Sequence, residues 1–211
     1  VIMSFLMLAM IFMMWPRAQV SARRINEIFD QDISIKDGTF LGNDTKEVGT
    51  VEFKNVSFKY PDADDYLLKN ISFKANKGDV VAFIGSTGSG KSSLINLVPR
   101  FYDATDGEVL VDGVNVKDYD IEALRNKVGI VMQKAVLFKG TIRENMWMGK
   151  KGATDEQIDE ALEISQSKEF VDSKQGRLDY VIEQGGKNLS GGQRQRLTIA
   201  RAIVRKPDVL I

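Results

Sequence analysis

Eight residues, Gly85-Ser86-Thr87-Gly88-Ser89-Gly90-Lys91-Ser92, restrict the architecture of this chain more than any others. They read G-x-x-x-x-G-K-S, a loop whose glycines let successive backbone N–H groups turn inward around an anion. Such a loop is delivered by a strand and leads into a helix. Both flanks agree. The apolar run Val80-Val81-Ala82-Phe83-Ile84 predicts the strand, and Ser92 to Val98 predicts the helix. The helix start adds partial positive charge. In this pattern Lys91 reaches the β- and γ-phosphates of a nucleotide, and Ser92 places its hydroxyl on Mg²⁺. A plain glycine-rich turn shares the composition but not the strand–loop–helix setting.

The totals exclude several other chemistries. Lys+Arg is 29 and Asp+Glu is 29, so no net positive field exists to hold a nucleic acid backbone. Cys is absent, which removes disulfides and thiolate metal sites. His is absent as well, so no imidazole acid–base chemistry arises within these residues.

Hydrophobicity is concentrated at the start. Val1 to Trp15 holds one polar residue, Ser4. Fifteen helical residues span about 22 Å against about 30 Å of bilayer hydrocarbon. The expectation is therefore the last part of a transmembrane helix, residues 1–19, whose beginning lies upstream. Arg17, Arg23 and Arg24 follow, which places this end on the cytoplasmic side. Met3, Met7, Met10 and Met14 share one helical face, read as ordinary packing. Residues 20–49 read as an amphipathic stalk followed by a polar linker with Gly38, Gly42 and Gly49. The soluble domain is expected from Thr50.

Within it, Val51 to Phe58 alternates as a half-buried strand does, and Leu67 to Ala75 looks like its partner. Glu108 to Val116 predicts a hairpin turning at Asp112-Gly113. Val128 to Met132 predicts a buried strand. Thr154-x-x-Gln157 predicts a capping box opening a helix to Ile164, and a second helix is expected from Ser190 to Arg205. Lys134 to Asn188 is expected to be a mostly helical subdomain. Arg194, Arg196, Arg201 and Arg205 read as a solvated or paired helix face.

A second motif accompanies the first. In Leu189-Ser190-Gly191-Gly192-Gln193, Ser190 caps the following helix while Gly191 and Gly192 leave its first N–H groups uncovered. With both motifs present in this order, residues 50–211 resemble the ATP-binding cassette (ABC) family. Gly85 to Ser92, with Ser93 next to it, matches the Walker A loop. Gln133 matches the Q-loop glutamine, and Ser190, Gly191, Gly192 and Gln193 match the signature motif. Tyr60 matches the aromatic that stacks on adenine. Glu183 resembles the acidic loop of exporters, although Ile182 stands where the family usually has Gly. The N-terminal apolar segment narrows the resemblance to exporters with a membrane domain fused ahead of the cassette.

The resemblance implies an α/β fold: a P-loop NTPase core with an antiparallel β subdomain and a helical subdomain. It implies ATP and Mg²⁺ as ligands, with Lys91 and Gln133 serving catalysis and Ser92 and Gln133 facing the metal. It implies a second cassette, identical or related, paired head to tail, so that each ATP lies between one Walker A loop and the other signature helix. It also implies a membrane setting and a transported solute that these residues do not name. The Walker B Asp, the Glu after it and the switch His are expected beyond Ile211, so these 211 residues alone are expected to have negligible ATPase activity. Two alternatives stay open: a regulatory half of a heterodimeric exporter, and a soluble cassette ATPase.

Overall fold

The computed structural model describes residues 2–43 and 45–211. It divides into two compact units, residues 1–36 and residues 37–211.

The first unit is built on one helix, α1 (Ile2–Phe29). At 1.5 Å per residue its 28 residues extend about 42 Å. An 18-residue window has mean hydropathy 1.3, so the helix is long and apolar enough to cross a bilayer by length and composition. Its side chains are exposed. Pro16 lies inside it and has no N–H to offer the carbonyl one turn back. The sequence reading divides this stretch at residue 19, where apolarity ends. Helix propensity does not end there, because Ala, Arg, Gln and Glu sustain the coil to Phe29.

The second unit opens with an antiparallel sheet. Strands β1 (Val51–Phe58) and β2 (Leu68–Ala75) precede helix α2 (Lys91–Leu97); β3 (Asp106–Val111) and β4 (Val114–Asn115) follow it. The spatial order is β2-β1-β3-β4. Val51, Phe53, Val56 and Phe58 point inward from β1, with register shifts between Phe53 and Phe58 that bring Ser57 inward as well. The predicted hairpin turns where expected: Asp112 and Gly113 both take positive φ (53° and 77°), the pattern that matches strand twist. Helix α3 (Ile121–Lys127) begins on an Asp120 cap that accepts from the Ala123 N–H. β5 (Val128–Gly129) then pairs in parallel with β8 (Val209–Leu210) at the chain's other end.

Between β5 and β8 lies a helical layer with its own core. It contains β6 (Gly140–Thr141), α4 (Ile142–Trp147), α5 (Asp155–Ile164), α6 (Lys168–Asp172), β7 (Val181–Ile182) and α7 (Gly191–Ile203). Leu137, Ile142, Met146, Ile158, Leu162, Val171, Leu197 and Val204 are among its buried residues. This is the expected helical subdomain, beside the expected antiparallel one.

Three readings are corrected. Residues 80–84 do not form the strand their apolarity predicts. Val80 and Ile84 are 97% and 96% exposed, and among the described residues no backbone hydrogen bond joins residues 80–84 to a neighbouring strand. A strand exists only through its ladder, and local composition does not supply one. Phe83 alone finds a partner, edge-on to Phe73 at 5.3 Å. Likewise β5 stops at Gly129; beyond it the pairing continues through Ile211, whose N–H donates to the Gly129 carbonyl and whose carbonyl accepts from the Val131 N–H. Finally, Gly38 to Phe40, inside the stretch read as linker, are bonded to the second unit. The N–H groups of Gly38, Thr39 and Phe40 donate to the carbonyls of Tyr119 and Asp118, and the Phe40 ring meets Tyr119 edge-on. Backbone docking of this kind leaves no hydrophobic period to read.

Candidate functional site

The glycine-rich loop hands directly into α2. Gly90 caps the helix at φ 85°, a left-handed conformation, and a Cβ there would come within 2.8 Å of Leu68 Cδ2. Glycine is therefore required twice over, by torsion and by space. The Lys91 ammonium curls back over the loop, donating to the carbonyls of Gly85 (2.8 Å) and Ser86 (2.7 Å) and to Ser89 Oγ (3.3 Å). The three acceptors draw the ends of the loop around one cation.

A hollow of about 390 Å³ lies here, lined by Thr87 to Ser93 together with Leu67 and Gln133. The fold thus brings Gln133, more than forty residues downstream, to the phosphate loop. Among the described residues no cluster of three or more Asp, Glu, His or Cys could hold a metal alone. A divalent ion at this place would find side-chain oxygens but no carboxylate, among them Ser92 Oγ and the Gln133 amide oxygen. Hard oxygen donors of this kind suit Mg²⁺ when a substrate's phosphates complete its shell.

Tyr60 does not line that hollow, but its hydroxyl is 2.8 Å from Ser93 Oγ. Its ring meets Phe58 and Tyr102 edge-on, with centroids 4.9 Å and 5.2 Å away. Ser93 is only 6% exposed, so its hydroxyl faces the tyrosine.

The second motif forms a reciprocal cap. Ser190 Oγ accepts from the Gln193 N–H (3.2 Å) and Gln193 Oε1 accepts from the Ser190 N–H (3.0 Å). This is a capping box the sequence reading did not identify. Gly191 and Gly192 are exposed, with nothing within 4 Å of where a Cβ would stand. These residues do not line the hollow that holds the P-loop. Glu183 is exposed, and its N–H donates to Asn188 Oδ1 at 3.0 Å.

Of the four arginines expected to form a solvated or paired face, Arg196 is exposed, whereas Arg194, Arg201 and Arg205, the last just beyond α7, are half-buried. Arg194 leans on the Gly185 carbonyl and Arg196 sits over the Phe170 ring at 5.6 Å. Arg205 donates to the carbonyls of Gly149 and Arg125. Arg201 donates through Nη2 to the Val136 carbonyl at 2.9 Å, while its buried Nη1 has no partner among the described residues. Burial pulls the Arg201 pKa down, because desolvation disfavours the charged form. None of these contacts is local in sequence, so spacing along α7 carried no sign of them.

The chain is similar in sequence and fold to known proteins. Residues 68–211 match the family described as ABC transporter. A relative from Staphylococcus aureus strain NCTC 8325, named for multidrug export as an ATP-binding/permease protein, is 41% identical over 185 residues. Those residues are 88% of this chain and 32% of the relative. A counterpart with the same description from the bovine strain RF122 is 40% identical over the same length. The solved structure of a bacterial Atm1-family ABC exporter with ATP bound superposes with a TM-score of 0.85 at 32% identity, covering 97% of this chain and 36% of that one. The chain therefore spans about a third of the length of the relatives it matches.

Proposed function

The chain belongs to the ABC transporter family, and from that membership we propose that it is the ATP-binding and ATP-hydrolysing part of an exporter. Residues 37–211 form the nucleotide-binding unit, and α1 belongs to the membrane domain and the stalk beneath it. The observation that carries this reading is the single hollow uniting the Lys91 loop, Ser92 and Gln133.

In this reading Lys91 exchanges its three loop oxygens for the β- and γ-phosphate oxygens of ATP. The inward N–H groups of the loop take up the remaining phosphate charge. Ser92 and Gln133 are the side chains that would hold a Mg²⁺ ion arriving with the nucleotide, and that ion would supply charge neutralisation at the triphosphate. Tyr60 offers its ring to adenine. Ser190 Oγ accepts from Gln193, so its own proton remains free to donate to an anion. With the Gly192 N–H it meets the γ-phosphate held by a second cassette, paired head to tail. When that phosphate leaves, the charge clasped by both subunits falls and the pair opens.

Arg201 ties α7 to the segment following Gln133. A shift at the nucleotide therefore has a path to the signature helix. The relatives' names support multidrug export as the transport activity. A balanced charge of 29 against 29 leaves no net positive field to hold a nucleic acid backbone.

The test is Lys91→Ala in the natural full-length protein, reconstituted in lipid. ATP affinity should fall at least about tenfold and solute transport should cease, with far-UV circular dichroism unchanged. Persistence of both binding and transport would overturn the reading.

A further inference from the structure

We infer that Asp37 to Phe40 form a clasp that fastens the chain leaving α1 to the start of α3, so that displacement of the stalk enters the second unit at that point. This goes beyond the nucleotide reading above and rests on it only for the signal that the clasp carries.

The fastening is made of more than the three N–H groups already described. The Phe40 carbonyl accepts from the Asp120 N–H at 2.9 Å, and Phe40 pairs with Tyr119 as a parallel bridge. The Asp37 carboxylate accepts from the Ile121 N–H at 2.8 Å, while Asp120 accepts from Ala123. The first N–H groups of a helix have no partner inside it. At α3 they are met by Asp120 from its own end and by Asp37 from the incoming chain, whose negative charge suits a helix start. Gly38 fits because it has no side chain. A Cβ there would stand 2.3 Å from the Asp118 carbonyl oxygen and 2.5 Å from that of Tyr119. Both obstacles are backbone and cannot swing aside. Tyr119 is buried, with its hydroxyl on the Val111 carbonyl, so the clasp is moored in the first core.

A clasp at this place shortens the tether. Fully extended, residues 30–37 reach at most about 28 Å, whereas a tether running free from Asp30 to Gly49 would reach about 70 Å. A short tether passes displacement on, and a long flexible one absorbs it. Beyond the clasp, α3 leads into β5 and then to Gln133, which lines the nucleotide hollow. The chain from Phe40 to Glu47 lies off this route. It is held at both ends, Glu47 by Thr50 and Lys74, so its length carries no displacement.

The same insertion on either side of the clasp tests this. The full-length protein in lipid carries a bimane fluorophore on Ser21→Cys in α1, with any other cysteine replaced by serine, and its emission is followed as Mg-ATP is added. A Gly-Ser insertion between Asp32 and Ile33 that doubles the free tether should reduce the nucleotide-dependent change about threefold, in line with the fall of effective concentration with linker length. The same insertion between Thr45 and Lys46 should leave it unchanged. Gly38→Val should act like the first insertion. Thr39→Ala, at an exposed side chain that takes no part in the clasp, should act like the second. ATP affinity, measured calorimetrically, should stay the same throughout, because no residue of the hollow is altered.

If both insertions reduce the response equally, the tether runs free to Thr50 and nothing is fastened at Asp37 to Phe40. If neither does, or if the parent protein gives no response to Mg-ATP, displacement does not travel through this segment. If Gly38→Val lowers ATP affinity as much as the response, the glycine serves the fold alone. Each of these results overturns the clasp and leaves nucleotide binding standing. That reading fails only if Lys91→Ala leaves ATP affinity intact.

Discussion

Individual side chains in this protein are held by partners far away in sequence, and their titration shows it. The Tyr119 hydroxyl donates to the Val111 carbonyl inside the first core. Burial first, then the negative charges of Asp112 and Asp208, push its pKa up to about 12. For Lys127, burial alone would lower the pKa. The Asp112 hydrogen bond and charge, helped by Asp208, outweigh that and raise it. Both folded values lie above the unfolded ones, about 10 for Tyr and about 10.4 for Lys. Their stabilisation is therefore complete below about pH 10 and is lost as pH rises through the folded values. Phenolate absorbance across an alkaline titration should show a late-titrating tyrosine that Tyr119→Phe removes. Urea midpoints should fall above about pH 10, less steeply in Lys127→Met. None of this was legible in the sequence, since Asp112 reads there only as a turn residue. The phosphate loop was legible because its requirements are written in consecutive residues. The Ser93–Tyr60 hydrogen bond was not, because its partners stand 33 positions apart.

Elements with a local cause were read well, and those with a distant cause were not. The Asp112-Gly113 hairpin and the Ser190 cap follow from side chains within a few residues; at Thr154 half of the expected capping box forms, its hydroxyl accepting from the Gln157 N–H without the return bond from the Thr154 N–H to the Gln157 side chain. Helix α4 was overlooked although Thr141 and Glu144 give it a complete capping box. Its six residues are too few to show a period, and buried Ile142, Asn145 and Met146 hold it instead. Thr141→Ala should cost about 1 kcal/mol, measured by urea denaturation. The run 80–84 shows the opposite error, strong local apolarity with no ladder beside it. Hydrogen exchange should find the amides of Val81 to Ile84 poorly protected, while those of Val51 to Phe58, bonded on both sides, exchange slowly. Strong protection at 81–84 would show that the ladder forms after all.

At the scale of the whole chain, the sequence revealed two kinds of surface chemistry before any coordinate did. Residues 1–36 carry the exposed apolar helix, and residues 37–211 carry both cores and the site. The boundary at 36 was harder to read, because Gly38 to Phe40 dock through backbone bonds that no side-chain pattern announces. Separately expressed, residues 1–211 should co-sediment with phospholipid vesicles while residues 37–211 stay in the supernatant, at circular dichroism melting temperatures within a few degrees of each other. Equal partitioning would remove α1 as the lipid-seeking part. The parallel pairing of Val128 with Val209 and Gly129 with Leu210 closes around the entire helical layer. For an extended coil, bringing those ends together costs loop entropy that two short strands cannot repay. Once the intervening helices have condensed, their ends already lie close and the closure costs little. The expected order is therefore helices first and this pairing last, checked by pulsed hydrogen exchange, in which α5 and α7 should gain protection before Val128 to Val131. A mutation that slows the helical layer would then also delay this parallel pairing, though it touches no residue of β5 or β8.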